Sequence, residues 1–313
     1  MRVLILGNGT HVKKRVLPAL RNIESIENIV IADRNTQNVT KINSNQEIRN
    51  FNEELNSSEE YNFIIIATPP YDHKSSILKV LDKSENILVE KPISNDIDFI
   101  FGENLRELKK EKNIFETLMY LHHPLWSYIK DLINKNDIQK VFSEFSVPHL
   151  PENSFRYKKE LGGGSLFDQG IYPISLALEI SNSSQVLNNI EINQSKKYEV
   201  DLGGSIDLTI DGNINYVGKW GLGEDYKNYL KLENSDGESF QIDFIFSKPD
   251  DIITKIDVSN SKSSSVIEIG NFDQFQIMYQ DIIEKNMTKF EYSNHKNLLK
   301  RYNLIRDVLK VIN

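Results

Sequence analysis

Short apolar runs alternate with segments of helical periodicity over roughly the first 120 residues of the chain. Between the runs, apolar positions recur three and four residues apart, as in His73–Leu81 and Ile97–Leu108, which predicts helices. Each run is almost continuously apolar, which is typical of strands covered by helices on both faces. The pattern therefore predicts βαβ units around a parallel sheet. The predicted strands are Arg2–Leu6, Ile29–Asp33, a weaker Glu47–Phe51, Phe63–Ala67, Ile87–Glu90 and Ile114–Leu118.

The pattern changes after about residue 120, where extended segments separated by turn signals become dominant. Ile206–Ile210 alternates apolar and polar positions, as a half-buried strand does, and Asp211-Gly212 is a good hairpin turn. This half of the chain is thus expected to form an open, mostly antiparallel sheet with helices on one face. Its other predicted elements are a helix at Leu125–Ile133, an extended segment at Val141–Val147, strands between Leu187 and Ile269 with a turn at Asp236-Gly237, a loop at Ser259–Ser265, and helices at Phe272–Ile283 and Asn297–Ile312.

Length and composition add mainly exclusions. A chain of 313 residues is long enough for two domains, which the change of pattern places at 1–120 and 121–313. The absence of cysteine excludes disulfides, thiolate metal sites, iron–sulfur clusters and cysteine nucleophiles. A net charge of −8 gives no basic footprint for nucleic acid, although a helix N-terminus can still bind a phosphate. Since no apolar run suits a signal peptide or a membrane helix, we expect a soluble, cytoplasmic protein.

A glycine-rich turn follows the first predicted strand and opens a helix. In Gly7-Asn8-Gly9-Thr10-His11 the first glycine would permit the tight turn, and the second would let the backbone approach a pyrophosphate. Val12 stands where the usual fingerprint has its third glycine. Asp33 follows after about 20 residues, the spacing of the acid that binds the adenosine ribose. These features predict a dinucleotide site in which Asp33 favours NAD, while the adjacent Arg34 leaves NADP open.

Three further segments carry polar residues at informative places. Ala67-Thr68-Pro69-Pro70, with His73 beyond it, and Glu90-Lys91-Pro92 each end a predicted parallel strand. Open α/β sheets bind their ligands at such carboxyl ends. The third segment, Gly162–Pro173, runs from a triple glycine through Asp168 to Tyr172.

In these motifs and their order the chain resembles the Gfo/Idh/MocA family of nicotinamide-dependent oxidoreductases, over nearly its whole length and including Glu224–Asn228 and Phe244–Pro249. The resemblance implies an α/β protein with a doubly wound Rossmann sheet, followed by an α+β domain with an open, mostly antiparallel sheet. It also implies hydride transfer to or from sugars, inositols and related alcohols or ketones. Tyr172-Pro173, with Phe155-Arg156-Tyr157 before the glycines, is similar to the subgroup containing dihydrodiol dehydrogenases, glucose–fructose oxidoreductase and nucleotide-sugar ketoreductases.

The resemblance implies a role for individual residues. Lys91 would lie at the reacting carbon, where its charge would stabilise the negative charge that develops on a ketone oxygen. Tyr172 would donate the proton in reduction, and Asp168, one helical turn earlier, would bind a substrate hydroxyl or orient the pair. Arg156 and Tyr157 are further candidates for substrate contact. The candidate cofactor contacts are Gly7, Asn8, Gly9, Thr10, His11, Asp33, Arg34, Thr68, Pro69, Pro70, His73, Glu90 and Lys91.

Each candidate also has a structural interpretation. Lys91 is compatible with a surface lysine at a strand end, Tyr172 with a core aromatic, and Asp168 with a helix cap. Packing and cofactor contact are equally compatible with His73. His122-His123, which replaces an arginine often found in relatives, would point to opposite faces of a strand, so we predict no metal site.

The motifs together predict an NAD(P)-dependent oxidoreductase that transfers hydride to or from a ring carbon of a sugar, with a nucleotide-linked ketosugar as the favoured substrate. An NAD-dependent hydrolase or isomerase that oxidises its sugar transiently is one alternative. A non-enzymatic protein that senses cofactor or sugar on the same scaffold is another. We expect neither nucleic acid nor membrane as a partner, and a homodimer or homotetramer is expected because such assemblies are common in the family.

Overall fold

The computed structural model describes residues 1–312 except 38, 103–104, 106–107, 109–110, 250 and 285–287, and for 288–296 it describes the backbone alone. The chain divides into two units. The N-terminal unit comprises Met1–Leu118 and Phe275–Leu299, and the C-terminal unit comprises Met119–Gln274 and Lys300–Asn313. The N-terminal unit is therefore discontinuous in sequence. In the described part of the chain, no helix is long and apolar enough to cross a membrane.

A seven-stranded sheet is the centre of the N-terminal unit. Its strands are β1 (Arg2–Leu6), β2 (Asn28–Asp33), β3 (Thr40–Asn43), β4 (Gln46–Asn50), β5 (Phe63–Ile66), β6 (Asn86–Glu90) and β7 (Asn113–Thr117). They lie in the order β3-β4-β2-β1-β5-β6-β7, and every pair is parallel except β3–β4. Side chains of the inner strands are buried on both faces, which explains their continuously apolar sequence.

Helices of the N-terminal unit begin where strands end. Those described within residues 1–101 are α1 (Leu17–Arg21, after a π-helical turn at Val12–Val16), α2 (Phe51–Asn56), α3 (His73–Lys79, after a 3-10 turn at Pro70–Asp72) and α4 (Ile97–Phe101). Asn50 caps α2 by accepting the N–H groups of Asn52 and Glu53, and such caps satisfy donors that the helix cannot. Because β1, β4 and β5 all lead into helices, turns and helix starts collect at the carboxyl edge of the sheet.

The C-terminal unit contains an eight-stranded sheet. Its order is β15-β14-β13-β12-β8-β11-β10-β9, and of its neighbouring pairs only β8–β11 is parallel among the described strands. The strands are β8 (Ile138–Val147), β9 (Gln185–Gln194), β10 (Asp201–Ile210), β11 (Ile214–Leu222), β12 (Lys227–Asn234), β13 (Ser239–Asp243), β14 (Thr254–Ser259) and β15 (Ser264–Gly270). The later helices of the chain are α5 (Leu125–Lys135), α6 (Ile171–Glu179), α7 (Gln274–Glu284) and α8 (Thr288–Ile312).

Aromatic side chains pack between α6 and the sheet of the C-terminal unit. The Tyr172 ring contacts Phe145 edge to face with centroids 5.1 Å apart, and it lies 5.5 Å from Phe246 and 6.0 Å from Tyr120. Edge-to-face pairs add to the free energy gained by burial. The tyrosine predicted to act in chemistry therefore lies in the aromatic core of its unit.

The predicted fold class is confirmed, with a mostly parallel sheet followed by a mostly antiparallel one. The loop predicted at Ser259–Ser265 is shorter in the structure, where residues 260–263 form the turn of a hairpin between β14 and β15. Its turn is held by Asn260, whose Oδ1 accepts the N–H groups of Lys262 and Ser263. Strand β15 is almost entirely exposed, and its apolar side chains Val266 and Ile267 are exposed as well.

Two predicted helices have different bounds. Helix α8 begins at Thr288 rather than Asn297, and the polar composition of its first turns hid that start. Helix α4 is described over Ile97–Phe101, and most of the remainder of the predicted Ile97–Leu108 lies outside the described residues.

The triple glycine wraps around the 3-10 turn Phe155–Tyr157. Gly163 N donates to Lys158 O (3.0 Å), and Gly164 N donates to Arg156 O (2.8 Å). A Cβ at Gly163 would lie 2.6 Å from Arg156 O and 2.8 Å from Phe155 O and Lys158 O. Only glycine fits there, because a side chain would displace three backbone carbonyls at once.

We therefore expect Gly163→Ala to lower the free energy of unfolding by about 2–4 kcal/mol. Gly237→Ala is the control, because its Cβ would enter open space, and a residue other than glycine at its φ of +80° costs about 1 kcal/mol. Chemical denaturation of both variants measures the difference. Equal losses would show that the three carbonyls do not confine position 163.

Candidate active site

The turn after β1 makes its closest approach at Gly7. Its φ is +109°, its N–H donates to Ala32 O at 3.0 Å, and a Cβ there would lie 2.8 Å from Ala67 O. The turn is thus held between the ends of β2 and β5. Gly7 serves this backbone contact, as the tight-turn role of the first glycine requires.

Gly9 differs from Gly7, because a Cβ at Gly9 would meet no atom within 4 Å. Nearby along the same sheet edge, Thr68 Oγ1 is buried and has no hydrogen-bond partner among the described residues. Buried hydroxyls are normally paired, so this group is available to a ligand. Open space over a glycine and an orphaned hydroxyl at the carboxyl edge fit a bound dinucleotide.

Asp33, at the end of β2, accepts two hydrogen bonds from neutral groups. Asn35 N donates to Oδ1 at 3.0 Å, and Asn8 Nδ2 donates to Oδ2 at 2.9 Å. The Asn35 hydrogen bond is the main cause that lowers the pKa of Asp33 below its ordinary value, with a smaller contribution from Asn8. The carboxylate is therefore charged at neutral pH and fixed to the glycine turn through Asn8.

Arg34 turns away from Asp33 and binds the segment after β5. Its Nη2 lies 2.7 Å from Asp72 Oδ2, and its guanidinium carbon lies 4.8 Å from the centre of the Phe51 ring. The loop after β2 and the 3-10 turn after β5 are joined by this ion pair.

Two kinds of residue complete the predicted cofactor contacts in the N-terminal unit. Thr10 is exposed at the start of the first helix. Pro69 and Pro70 lead from Thr68 into the 3-10 turn Pro70–Asp72 and are partly exposed.

Lys91 follows β6 directly and is partly exposed. Beside it Glu90 lies 3.2 Å from His11 Nε2 and accepts a 3.5 Å hydrogen bond from the Tyr279 hydroxyl. Burial raises the pKa of Glu90, but the charges of His11 and Lys91 outweigh burial and leave that pKa below its ordinary value. The His11 ring also packs edge to face on Phe275. The glycine turn and the lysine-bearing strand end thus meet through His11 and Glu90.

His73 links two loops at the carboxyl edge. It is 1% exposed, with Nε2 2.7 Å from Thr68 O and Nδ1 2.7 Å from Pro92 O. Burial lowers the pKa of His73, against the two carbonyls, which favour the charged ring. With both nitrogens engaged by backbone, the geometry favours the packing interpretation of His73, and its cofactor contact stays a prediction.

Asp168 is held by a bidentate contact in the C-terminal unit. Arg156 Nε donates to one carboxylate oxygen and Nη2 to the other, the latter at 3.3 Å, and Gln169 Nε2 donates at 2.6 Å. Burial lowers the pKa of Arg156, but the Asp168 charge outweighs it and raises that pKa overall. Asp168 is therefore a fixed acceptor, as bidentate arginine pairs make it.

The two tyrosines predicted for substrate work are both buried. Tyr172 is 4% exposed, and its hydroxyl donates to Met119 Sδ at 3.7 Å. The Tyr157 hydroxyl accepts Leu150 N–H at 3.1 Å, and its ring stacks on Tyr198 with centroids 4.5 Å apart. Each ring is fixed in orientation, and a role of either tyrosine toward substrate stays a prediction.

Asp201 is a positioning residue that the sequence did not reveal. Its Oδ2 accepts Ser165 Oγ at 2.5 Å and Leu166 N at 2.7 Å, and it thereby anchors the segment that carries Asp168 and Tyr172. Burial raises the pKa of Asp201. It stands at the start of β10 without a motif around it, so only the fold brings it to the helix start.

The histidine pair forms no metal site in the structure. His123 Nδ1 accepts Leu125 N–H at 3.0 Å, and its ring packs edge to face on Phe272. Burial, with the charge of Lys248, lowers the pKa of His123 to about 4. Over the described ranges no group of three His, Asp or Glu side chains is arranged to hold a metal ion.

The comparison with protein families agrees with this geometry. Residues 1–117 match the model of the Gfo/Idh/MocA oxidoreductase family with an NAD-binding Rossmann fold. The match covers the N-terminal 117 residues of the chain. The predicted resemblance is therefore confirmed where the glycine turn, Thr68 and Lys91 lie.

Relatives match most of the chain. The dTDP-3,4-didehydro-2,6-dideoxy-alpha-D-glucose 3-reductase of Saccharopolyspora spinosa is 25% identical over 93% of this chain and 86% of its own. The enzyme of the same name from Actinomadura kijaniata is 23% identical over 88% of this chain and 84% of its own. A solved 3-ketoreductase from Actinomadura kijaniata, in complex with NADP and TDP-benzene, has a TM-score of 0.89 at 20% identity and covers 99% of this chain and 97% of its own. The shared fold thus extends over both units.

Gly9→Ala should separate binding from folding. Because the added Cβ meets no protein atom, we expect the free energy of unfolding to change by less than about 0.5 kcal/mol. NADH and NADPH should bind at least about tenfold more weakly, because the methyl group occupies the space over the turn. Nicotinamide fluorescence titration and thermal melts measure the two effects. Unchanged binding in a stable variant would place the pyrophosphate elsewhere.

The contact between His11 and Glu90 leads to a prediction about the pKa of the His11 ring. Partial burial lowers the pKa of His11, but the Glu90 carboxylate outweighs it and holds that pKa above the ordinary 6.5. The His11–Glu90 ion pair therefore contributes its full stabilisation of the folded state below pH 6.5. That contribution is lost as pH rises through the pKa of His11 in the folded protein. In Glu90→Gln the opposing charge is gone, so we expect the pKa of His11 to fall below 6.5.

NMR titration of the histidine ring protons measures this shift, with His11→Gln used for assignment. His123 is the internal control, and its pKa of about 4 should not change. If the pKa of His11 were the same in Glu90→Gln as in the wild type, the electrostatic contact with Glu90 would be refuted.

Proposed function

We propose that this chain is an NAD(P)H-dependent ketoreductase acting on a nucleotide-linked ketosugar. The observation that carries the proposal is the sharing of one sheet edge by the glycine turn after β1, Thr68 after β5 and Lys91 after β6, three adjacent parallel strands. Ligands of open α/β sheets bind at such an edge. The names of the relatives, which are reductases of dTDP-linked ketosugars, support the substrate class.

The cofactor would be held by residues of the N-terminal unit. Gly9 leaves room for the pyrophosphate, Asp33 accepts hydrogen bonds from a ribose, and Thr68 supplies a hydroxyl that has no partner among the described residues. When bound, the reduced nicotinamide supplies the hydride. All other steps in the proposal belong to side chains of this chain.

Lys91 would stabilise the charge that develops on the substrate oxygen. Its ammonium follows a strand end next to Glu90, which is negatively charged. A positively charged ammonium stabilises an oxyanion that develops beside it. Fixed positive charge at the reacting oxygen is often the largest contribution to such catalysis.

Tyr172 and Asp168 would act on substrate from the C-terminal unit. The Tyr172 proton faces a thioether sulfur at 3.7 Å, which is a weak acceptor, so the proton can be transferred to a developing alkoxide. Asp168, fixed by Arg156 and Gln169, would accept a hydrogen bond from a sugar hydroxyl. We assign the proton transfer to Tyr172 and substrate orientation to Asp168.

Lys91→Met tests the proposal. We expect kcat for ketosugar reduction to fall by at least about a thousandfold, because the oxyanion loses its neutralising charge, while Kd for NADH or NADPH changes by less than about threefold. Nicotinamide absorbance with a panel of dTDP-linked and free ketosugars measures turnover. Lys74→Met is the control, since Lys74, on α3, pairs with Asp96, the N-cap of α4, and its loss should leave kcat unchanged.

The outcomes separate the alternatives. Unchanged turnover in Lys91→Met would refute the catalytic assignment. Sugar conversion without net change in nicotinamide absorbance would favour transient oxidation over reduction. Cofactor binding without turnover on any sugar would favour a sensing protein.

A further inference from the structure

An ion pair between Arg34 and Asp72 lies at the end of β2, and recognition of a ribose by Asp33 does not require it. Two carboxylates, Asp33 and Asp72, and one guanidinium, Arg34, lie at this end of the sheet edge. Arg34 is 48% exposed in its side chain, and Asp72 is 14% exposed. The guanidinium pairs with Asp72 across the gap between two loops and does not bind Asp33.

Among the described residues, the Asp72 carboxylate has a hydrogen bond and ion pair with Arg34 alone. It precedes α3 but makes no side-chain hydrogen bond that caps the helix, and the backbone of Asp72, rather than its carboxylate, binds Pro69 O and Ser75 Oγ. An aspartate at a helix start usually caps the helix with its side chain, and Asp72 does not. Its carboxylate is committed to Arg34.

Arg34 is held in place from three sides. Burial lowers the pKa of Arg34, but the Asp72 carboxylate, with Tyr71, outweighs burial and raises it. The Phe51 ring lies under the guanidinium at 4.8 Å. The arginine is thus fully charged, but its charge is already neutralised by a partner 2.7 Å away.

We propose that Asp72 is a specificity-determining residue, which keeps Arg34 from binding the 2′-phosphate of NADP(H) and so favours NAD(H). The inference rests on the proposed dinucleotide site. A 2′-phosphate carries about two negative charges. To bind Arg34, the 2′-phosphate must displace the Asp72 carboxylate from the guanidinium and then remain beside it. The Asp33 carboxylate, next to Arg34 in the sequence, adds a second negative charge. A ribose hydroxyl meets no such repulsion.

Asp72→Asn is the deciding variant, because asparagine has the same shape and is equally suited to a helix start. We expect Kd for NADPH to fall by about fivefold to tenfold, through the release of one attractive charge and removal of one repulsive charge near the surface. Kd for NADH should change by less than about twofold. Raising the salt concentration should reduce the gain, because these charges are partly exposed.

A double-mutant cycle with Arg34→Gln shows whether the gain depends on the arginine. Asp72→Asn in the Arg34→Gln background should lower Kd for NADPH by a clearly smaller factor, because only the repulsive charge is removed and no guanidinium remains to be released. Glu85→Gln is the charge-matched control. It removes a carboxylate that pairs with Lys112 at 2.6 Å at the amino ends of β6 and β7, and neither Kd should change.

Equal gains for NADH and NADPH in Asp72→Asn, or a gain of the same size in the Arg34→Gln background, would overturn the proposal. Asp72→Ser provides the same test if the asparagine variant melts early. A wild-type protein that binds neither nucleotide in the fluorescence titration would refute the dinucleotide site itself. That result differs from normal NADH binding with no change in Asp72→Asn, which refutes the role of Asp72 alone.

Discussion

Backbone contact between the turn after β1 and the end of β5 is the constraint on which the candidate site depends. The Ala67 carbonyl leaves no room for a Cβ at Gly7, so two loops from neighbouring strands lie closer than any side chain allows. The parallel register of β1, β5 and β6 then brings three strand ends to one edge. Since parallel strands point the same way, residues far apart in sequence become neighbours there without any contact between their side chains.

Histidines hold this edge together in two ways. His73 fastens the end of β5 to the residue after Lys91 through two backbone carbonyls, while His11 fastens the glycine turn to Glu90. The first contact is buried and the second is partly exposed, so the first suits a permanent brace and the second can respond to solvent. Lys91 lies between residues that are each fixed to a different loop. A lysine has a long and mobile stem, and fixing the backbone on both sides confines where its ammonium can reach.

The sequence was sufficient for six of the seven strands of the first sheet and for its edge, because inner parallel strands must be apolar throughout and glycine at a strand end has few other uses. The exposed edge strand β3 was not predicted. The sequence was also not sufficient for residues whose roles come from distant parts of the chain. Asp201 supports a helix start 35 residues earlier, and Asp72 meets Arg34 only because β2 and β5 both flank β1. His73 was visible in the motif, but its two backbone partners depend on geometry that no spacing encodes. The exposed β15 lies almost entirely within the range predicted to contain strands, although its first two residues were assigned to a loop.

The return of residues 275–299 to the N-terminal unit has a consequence for synthesis. Phe275 covers the His11 ring, and the Tyr279 hydroxyl reaches Glu90, and both aromatic side chains are buried. A nascent chain that has emerged only as far as residue 118 holds every strand of the first sheet yet lacks these two rings. The N-terminal unit therefore reaches its final form only after most of the C-terminal unit has left the ribosome. Vectorial folding from the N-terminus gives this protein an early sheet and a late completion of the candidate site.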